Sequence, residues 1–359
     1  MKSFYIYLTL SCGTVILAHD IDVQVLNLKN KSSHVTHLNR SLFDSQGHLT
    51  AGGIKKFFEN AYKARFMPDS FFQDSKNLNV TQFAKTAGGL PIFSISNLGR
   101  AKRFAVKEVP KAEAENLRRI YSIERLKSLI YPVAIAQHPE LVLPTYMFTY
   151  LYDHTEHSVI VMPMSPGTEL SELMLNYAQK PSSENLKEIN KAFYSIGATL
   201  ANFQKHLGSL AATLVHGDFH CKNIFLGSEL KNPVKQVYWI DAERMTLPRK
   251  PQKLFDIIYL LSTLRAVLNQ ADKATWDKLA SKYKERFIKN ATQSLISGYI
   301  STYSSDQASR KTLYHEIYDK LYEDLNRGAN PLGVWQFLEF LSLYKNSIKE
   351  ALDAVRASL

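Results

Sequence analysis

The chain has 359 residues, of which 45% are hydrophobic and 21% charged, with 15 Gly, 13 Pro and only two cysteines. That composition excludes a disordered tail protein, a collagen-like repeat, a disulfide framework and a Cys-based zinc site, and the length is comfortable for two domains. The formal charge is +11, but the excess is spread along the chain with no run of five or six basic residues, which argues against a nucleic-acid arm and leaves a solvated basic surface or a preference for anionic ligands.

The first residues, MKSFYIYLTLSCGTVILAHD, carry a basic start at Lys2, an apolar run from Phe4 to Ala18 and then His19-Asp20. This is the pattern of a secretory signal peptide over residues 1–18, cleaved near Ala18, and the run is short for a span of about 20 residues. The expectation is an exported or secreted chain with no transmembrane span in its mature form. Residues 19–82 read as an N-terminal extension of mixed signal. Within it Gly53–Arg65 has Ile54, Phe57, Phe58 and Ala61 at offsets of three, four and seven, which predicts an amphipathic helix.

A β-rich stretch follows. Pro91–Ser96 and Arg103–Val109 read as paired strands joined by the turn-rich Asn97-Leu98-Gly99. Glu113–Ile130 lacks Gly and Pro and predicts a helix. Val159–Met164 reads as a short buried strand closed by Ser165-Pro166-Gly167. Beyond that break the pattern is mostly helical. The exception is Leu214–Asp241, where apolar runs flank polar turns. The expected organisation is a small β-rich lobe over 83–164 and a larger helical lobe over 165–359, an α+β fold.

The chemistry concentrates in Leu214–Leu226, LVHGDFHCKNIFL, and in VYWIDAERM. Asp218 precedes Asn223 by five residues, and Asp241 closes the second apolar run. Two strands side by side would bring Asn223 and Asp241 to one rim. Hard oxygen donors of that kind suit Mg²⁺, which needs few protein ligands and takes the rest from phosphates and water. Asp218 at the head of the loop would orient an incoming hydroxyl, and Lys107 within FAVKEV offers a cation for phosphates. Taken alone, Lys107 reads as a solubility residue of an edge strand.

HGDFHCKN followed by WIDAE resembles the aminoglycoside phosphotransferase and choline kinase family, within the protein-kinase-like superfamily. Further resemblances run from about Phe83 to Tyr303. FAVKEV is similar to the family's lysine strand and VIVMPMSPGTEL to its hinge. IGATLANFQKHLG is similar to the helix before the catalytic loop. LFDIIYLL, with Asp256, is similar to the structural-aspartate helix, and SLISGYISTY to a later helix. The resemblance implies a two-lobed fold and an ATP- and Mg²⁺-dependent phosphotransferase. It implies Asp218 as catalytic base, Asn223 and Asp241 on metal, and Lys107 on the α- and β-phosphates. Met162, Pro163 and Met164 would face adenine, and His216 and His220 would brace the loop. Glu113 would pair with Lys107, with Glu115 and Glu124 as alternatives, and Gly88 and Gly89 would cover the phosphates. Glu243 is either a metal-site helper or a surface carboxylate, and Cys221 fills a variable slot.

The acceptor expected is a small hydroxyl compound: a sugar, an aminoglycoside or an amino alcohol. Acidic residues of Tyr314–Asp324 could line a pocket for a cationic acceptor or form a solvated helix face. Two alternatives stand beside this. The export signal favours an effector kinase delivered to another cell and acting on a protein or lipid there. A non-catalytic pseudokinase would be expected to lack one of Lys107, Asp218, Asn223 or Asp241, and all four are present.

Overall fold

The computed structural model describes residues 20–27, 33–63, 71, 77–86, 88–98, 100, 103–118, 142, 144–207, 216–227, 236–241, 254–323 and 335–359, the side chains of 62, 265–274, 323 and 335–342 excepted. The signal-peptide stretch 1–18, Glu124 and Glu243 fall outside the described residues. The chain divides into two units: one runs to Lys111 and includes Tyr146–Val161, and the other holds Ala112–Thr145 and Met162–Leu359.

The first unit is built on strands β1 (Ile21–Asn27), β2 (Ser33–Leu38), β3 (Leu78–Lys85), β4 (Pro91–Asn97), β5 (Arg103–Val109), β6 (Tyr146–Tyr152) and β7 (Thr155–Pro163). They form one sheet in the order β2-β1-β6-β7-β5-β4-β3. The extension expected over 19–82 is therefore part of this sheet, and a boundary at 82 would cut through β3. β1 alternates apolar and polar residues, and its Val23 and Val25 are fully buried. Helix α1 (Ala51–Lys63) buries Ile54, Phe57, Phe58 and Ala61, the four positions picked out by their spacing. Phe57 and Phe58 pack on Phe148 of β6, at ring-centroid distances of 3.8 and 6.0 Å. Each fully buried Phe contributes roughly 1.5–3 kcal/mol of transfer free energy. Helix α2 (residues 111–118) follows β5; the remainder of the helix expected to Ile130 lies outside the described residues.

The second unit is helical. It holds α3 (Leu170–Gln179), α4 (Ser183–Leu207), α5 (Phe255–Lys278), α6 (Ser281–Tyr303), α7 (Gln307–Tyr318) and α8 (Trp335–Ala357). It also holds a small sheet in the order β10-β9-β8, made of β8 (Thr168–Glu169), β9 (Ile224–Leu226) and β10 (Val237–Trp239). The break near Pro163–Gly167 lies beside the division between the units at Val161 and Met162. Helices α4 and α6 approach at two glycines. A Cβ on Gly197 would sit 2.0 Å from the Leu295 carbonyl oxygen, and one on Gly298 would sit 2.1 Å from that of Tyr194. The α+β division into a β-rich and a helical part is the one expected from the sequence. Among the described residues no helix is long and apolar enough to cross a membrane.

Candidate functional site

The candidate site is assembled within the second unit, around the loop from His216 to Asn223. Asn223 leads directly into β9, and β10 runs antiparallel beside it with Trp239 opposite Ile224. The Ile240 amide donates to the Asn223 carbonyl at 3.1 Å, so the ladder runs one step past the strands and sets Asp241 next to Asn223's end of β9. This is the common rim expected for the two residues. Asp241 itself has φ +62, the left-handed region that non-glycine residues rarely occupy. Phe219 and Trp239, both buried, meet edge to face at 5.2 Å beneath the rim.

The loop is tied down at both ends. Asp256, buried in the first turn of α5, accepts the His216 amide at 3.0 Å on one oxygen and the Gly217 amide at 3.3 Å on the other. Gly217 takes φ +78, a conformation open to glycine at no steric cost, and the chain turns there immediately before Asp218. The Asn223 side-chain amide donates to the Asp218 carbonyl at 3.0 Å, and the His220 amide donates to the same carbonyl at 2.9 Å. The loop thus closes on itself between the two residues that resemblance makes base and metal ligand.

The histidines hold backbone. His216 Nε2 donates to the Ile240 carbonyl at 2.8 Å, linking the loop to β10. Burial lowers its pKa, against the pull of Asp256, Ile240, Asp241 and Asp218, so the ring stays neutral at neutral pH. His220 Nδ1 accepts the Lys222 amide at 3.2 Å, and its Nε2 lies 3.7 Å from Asp218 Oδ1. Burial raises the pKa of the Asp256 carboxyl, while His216 and the two amides pull it down. Burial likewise drives the Cys221 thiol far up, which keeps it protonated and without a nucleophilic role.

Tyr259 is a residue that sequence reasoning missed. Its hydroxyl donates to Asp218 Oδ1 at 3.1 Å. The available signal was its place three residues after Asp256, on the same helix face. Tyr259→Phe is expected to lower kcat about tenfold, the worth of a hydrogen bond to a charged group, with the melting temperature unchanged. Steady-state kinetics and a thermal melt on both proteins check this.

The other expected site residues are placed as follows. Lys107 is half-buried on β5 opposite Ile92 of β4. Gly88 and Gly89 are exposed in the tight turn between β3 and β4, where the Gly89 amide donates to the Thr86 carbonyl at 2.9 Å. All three belong to the first unit. Met162 is buried at the end of β7 and Met164 half-buried just beyond, both in the second unit. Glu113 and Glu115 are both half-buried on α2. In the acidic stretch, Glu316 and Asp319 are exposed and Asp324 lies outside the described residues.

The donor set at the rim fits Mg²⁺. The Asn223 amide nitrogen is committed to the Asp218 carbonyl, which turns the amide's carbonyl oxygen to the other side, and Asp241 adds a carboxylate.

A family model described as the ecdysteroid kinase-like family matches residues 134–295, which contain the whole of this loop, the rim and Asp256. No curated protein matches the chain. Among solved structures the chain is similar to WaaP in complex with acyl carrier protein, at 15% identity and TM-score 0.36, over 74% of this chain and 98% of that one. It is similar to the PknI kinase domain of Mycobacterium tuberculosis at 14% identity and TM-score 0.37, over 76% and 96%. It is similar to vaccinia related kinase 3 at 15% identity and TM-score 0.31, over 47% and 48%. Residues 134–295 are thus similar to an ecdysteroid kinase-like family.

Proposed function

We propose that the chain transfers the γ-phosphoryl group of ATP to the hydroxyl of a small molecule. The observation that carries this reading is the closed loop between Asp218 and Asn223, with Asp241 set beside Asn223 by the β9–β10 ladder. In the proposed reaction the acceptor oxygen forms a bond to the γ-phosphorus as the bond to the β–γ bridging oxygen breaks. Asp218 aligns the acceptor hydroxyl and takes its proton, and Tyr259 holds the Asp218 carboxylate in place. Asn223 and Asp241 would hold Mg²⁺, which when bound neutralises charge on the phosphates. Lys107 would contact the α- and β-phosphates. Catalysis in this chemistry is mostly positioning and charge neutralisation.

The test is ATP consumption by the full chain against a panel of sugars, aminoglycosides, choline and steroid alcohols, the last because of the name of the matching family. Acceptor-dependent ADP release that disappears in Asp218→Asn supports the reading; none with any acceptor overturns it.

Asp241→Ala is expected to abolish the Mg²⁺-dependent gain in ATP affinity. Asp241→Asn, which tolerates the left-handed backbone better than Ala, separates loss of the carboxylate from loss of backbone geometry. Calorimetry with and without Mg²⁺ reads both; full affinity in both variants argues against the metal assignment.

Export is proposed from the N-terminal pattern of Lys2, the apolar run and Ala18. Mature protein is expected to lack residues 1–18, which N-terminal sequencing of exported material checks.

A further inference from the structure

A cluster with a different chemistry lies in the first unit. His48 sits in the turn before α1, Glu108 on β5 and His157 on β7. The Nδ1 of His48 lies 2.7 Å from one Glu108 oxygen, and the Nδ1 of His157 lies 2.7 Å from the other. One donor atom from each of the three residues lies within 4.8 Å of the other two. The three side chains are 16%, 13% and 6% exposed, so they are largely removed from water while His48 and Glu108 remain reachable.

We propose that His48, Glu108 and His157 bind one divalent transition-metal ion of the zinc class, which braces the 44–49 turn against β5 and β7. The donor set is the first argument. Two imidazoles and one carboxylate suit zinc and its neighbours, whereas Mg²⁺ and Ca²⁺ prefer oxygen alone. Geometry is the second. Donors around a tetrahedral ion with bonds of about 2.0–2.2 Å stand roughly 3.3 Å apart, so the 2.7 Å contacts open by about half an ångström and the widest pair, within 4.8 Å, closes by at most about 1.5 Å.

Preorganisation is the third argument. The His48 amide donates to Asp44 Oδ1 at 2.9 Å, and the Asp44 amide donates to the His48 carbonyl at 2.9 Å. Gly47, at φ +87, packs so closely on Tyr152 that a Cβ would lie 2.6 Å from its ring. The Tyr150 hydroxyl donates to the Gly47 carbonyl at 3.0 Å, and the Tyr150 ring stacks on His157 at 5.1 Å and 4°. The His48 main chain and the His157 ring are therefore held by contacts independent of Glu108.

The test uses the full chain stripped with a chelator and titrated with Zn²⁺ in excess Mg²⁺, which masks oxygen-only sites. One Zn²⁺ per chain is expected, with a rise in melting temperature of several degrees at saturation. His48→Ala and Glu108→Gln should each weaken binding at least tenfold. His37→Ala, at an exposed histidine paired with Asp22, should not. Circular dichroism establishes that the variants are folded. Co²⁺ substitution gives a second reading that needs no variant of His157: a visible absorption band of a tetrahedral site should appear in the parent chain and be lost in His48→Ala. Absence of stoichiometric Zn²⁺ binding overturns the proposal, as does Zn²⁺ binding or a Co²⁺ band that survives in His48→Ala and Glu108→Gln.

Discussion

Asp218→Asn is expected to lower kcat by about two to four orders of magnitude, the usual worth of a general base, while ATP affinity and melting temperature stay at the parent values. Asn keeps the shape of the side chain and one oxygen that can accept from Tyr259. The backbone carbonyl that Asn223 and His220 use is untouched, so the loop keeps its closure. What disappears is a group that can take a proton and align a hydroxyl as a carboxylate does. A rival role for Asp218, holding the loop through its side chain, predicts that activity, ATP binding and melting temperature fall together. Measuring all three on one preparation separates the two. Activity near the parent level would remove the mechanism proposed here.

The site was more legible in the sequence than the sheet that surrounds the first unit's core. The spacing of Asp218, Asn223 and Asp241, with apolar runs between, is a local pattern, and the β9–β10 ladder realises it directly. The helix α1 was legible because its apolar face is one-sided and its four buried residues fall at helical offsets. β4 and β5 were legible from their β-rich runs and the turn between them. β2 and β3 were not. In β2 Val35 is exposed and Thr36 buried, which leaves Leu38 as its one buried apolar residue and breaks the apolar alternation. β3 is the edge of the sheet and mostly exposed, so no apolar face marks it. β6 buries Tyr146, Met147 and Phe148 in succession, on both faces, and such a run has no period to read. The His48, Glu108 and His157 cluster draws on residues 60 and 49 positions apart, so only the sheet order brings it together.

Asp256→Ala is expected to act on the same loop in the opposite way, by taking away its support and leaving the chemistry's residues in place. Asp256 holds the amides of His216 and Gly217, one on each oxygen, from a fully buried position at the start of α5. Alanine leaves both amides without that acceptor, at a cost of about 2–5 kcal/mol for buried unsatisfied donors. That corresponds to a drop in melting temperature of roughly 3–7 °C for a chain of this length. Loss of the His216 anchor also loosens the link from His216 to Ile240, and with it the setting of Asp241. Metal-dependent ATP binding should therefore fall together with turnover, unlike in Asp218→Asn. Asp256→Asn gives the finer test. It keeps one acceptor oxygen but presents an NH₂ group to the second amide, so its stability should lie between the parent and the alanine variant. A stable Asp256→Ala protein with parental ATP affinity would show that the loop is held without the Asp256 carboxylate, by its own closure and the β9–β10 ladder.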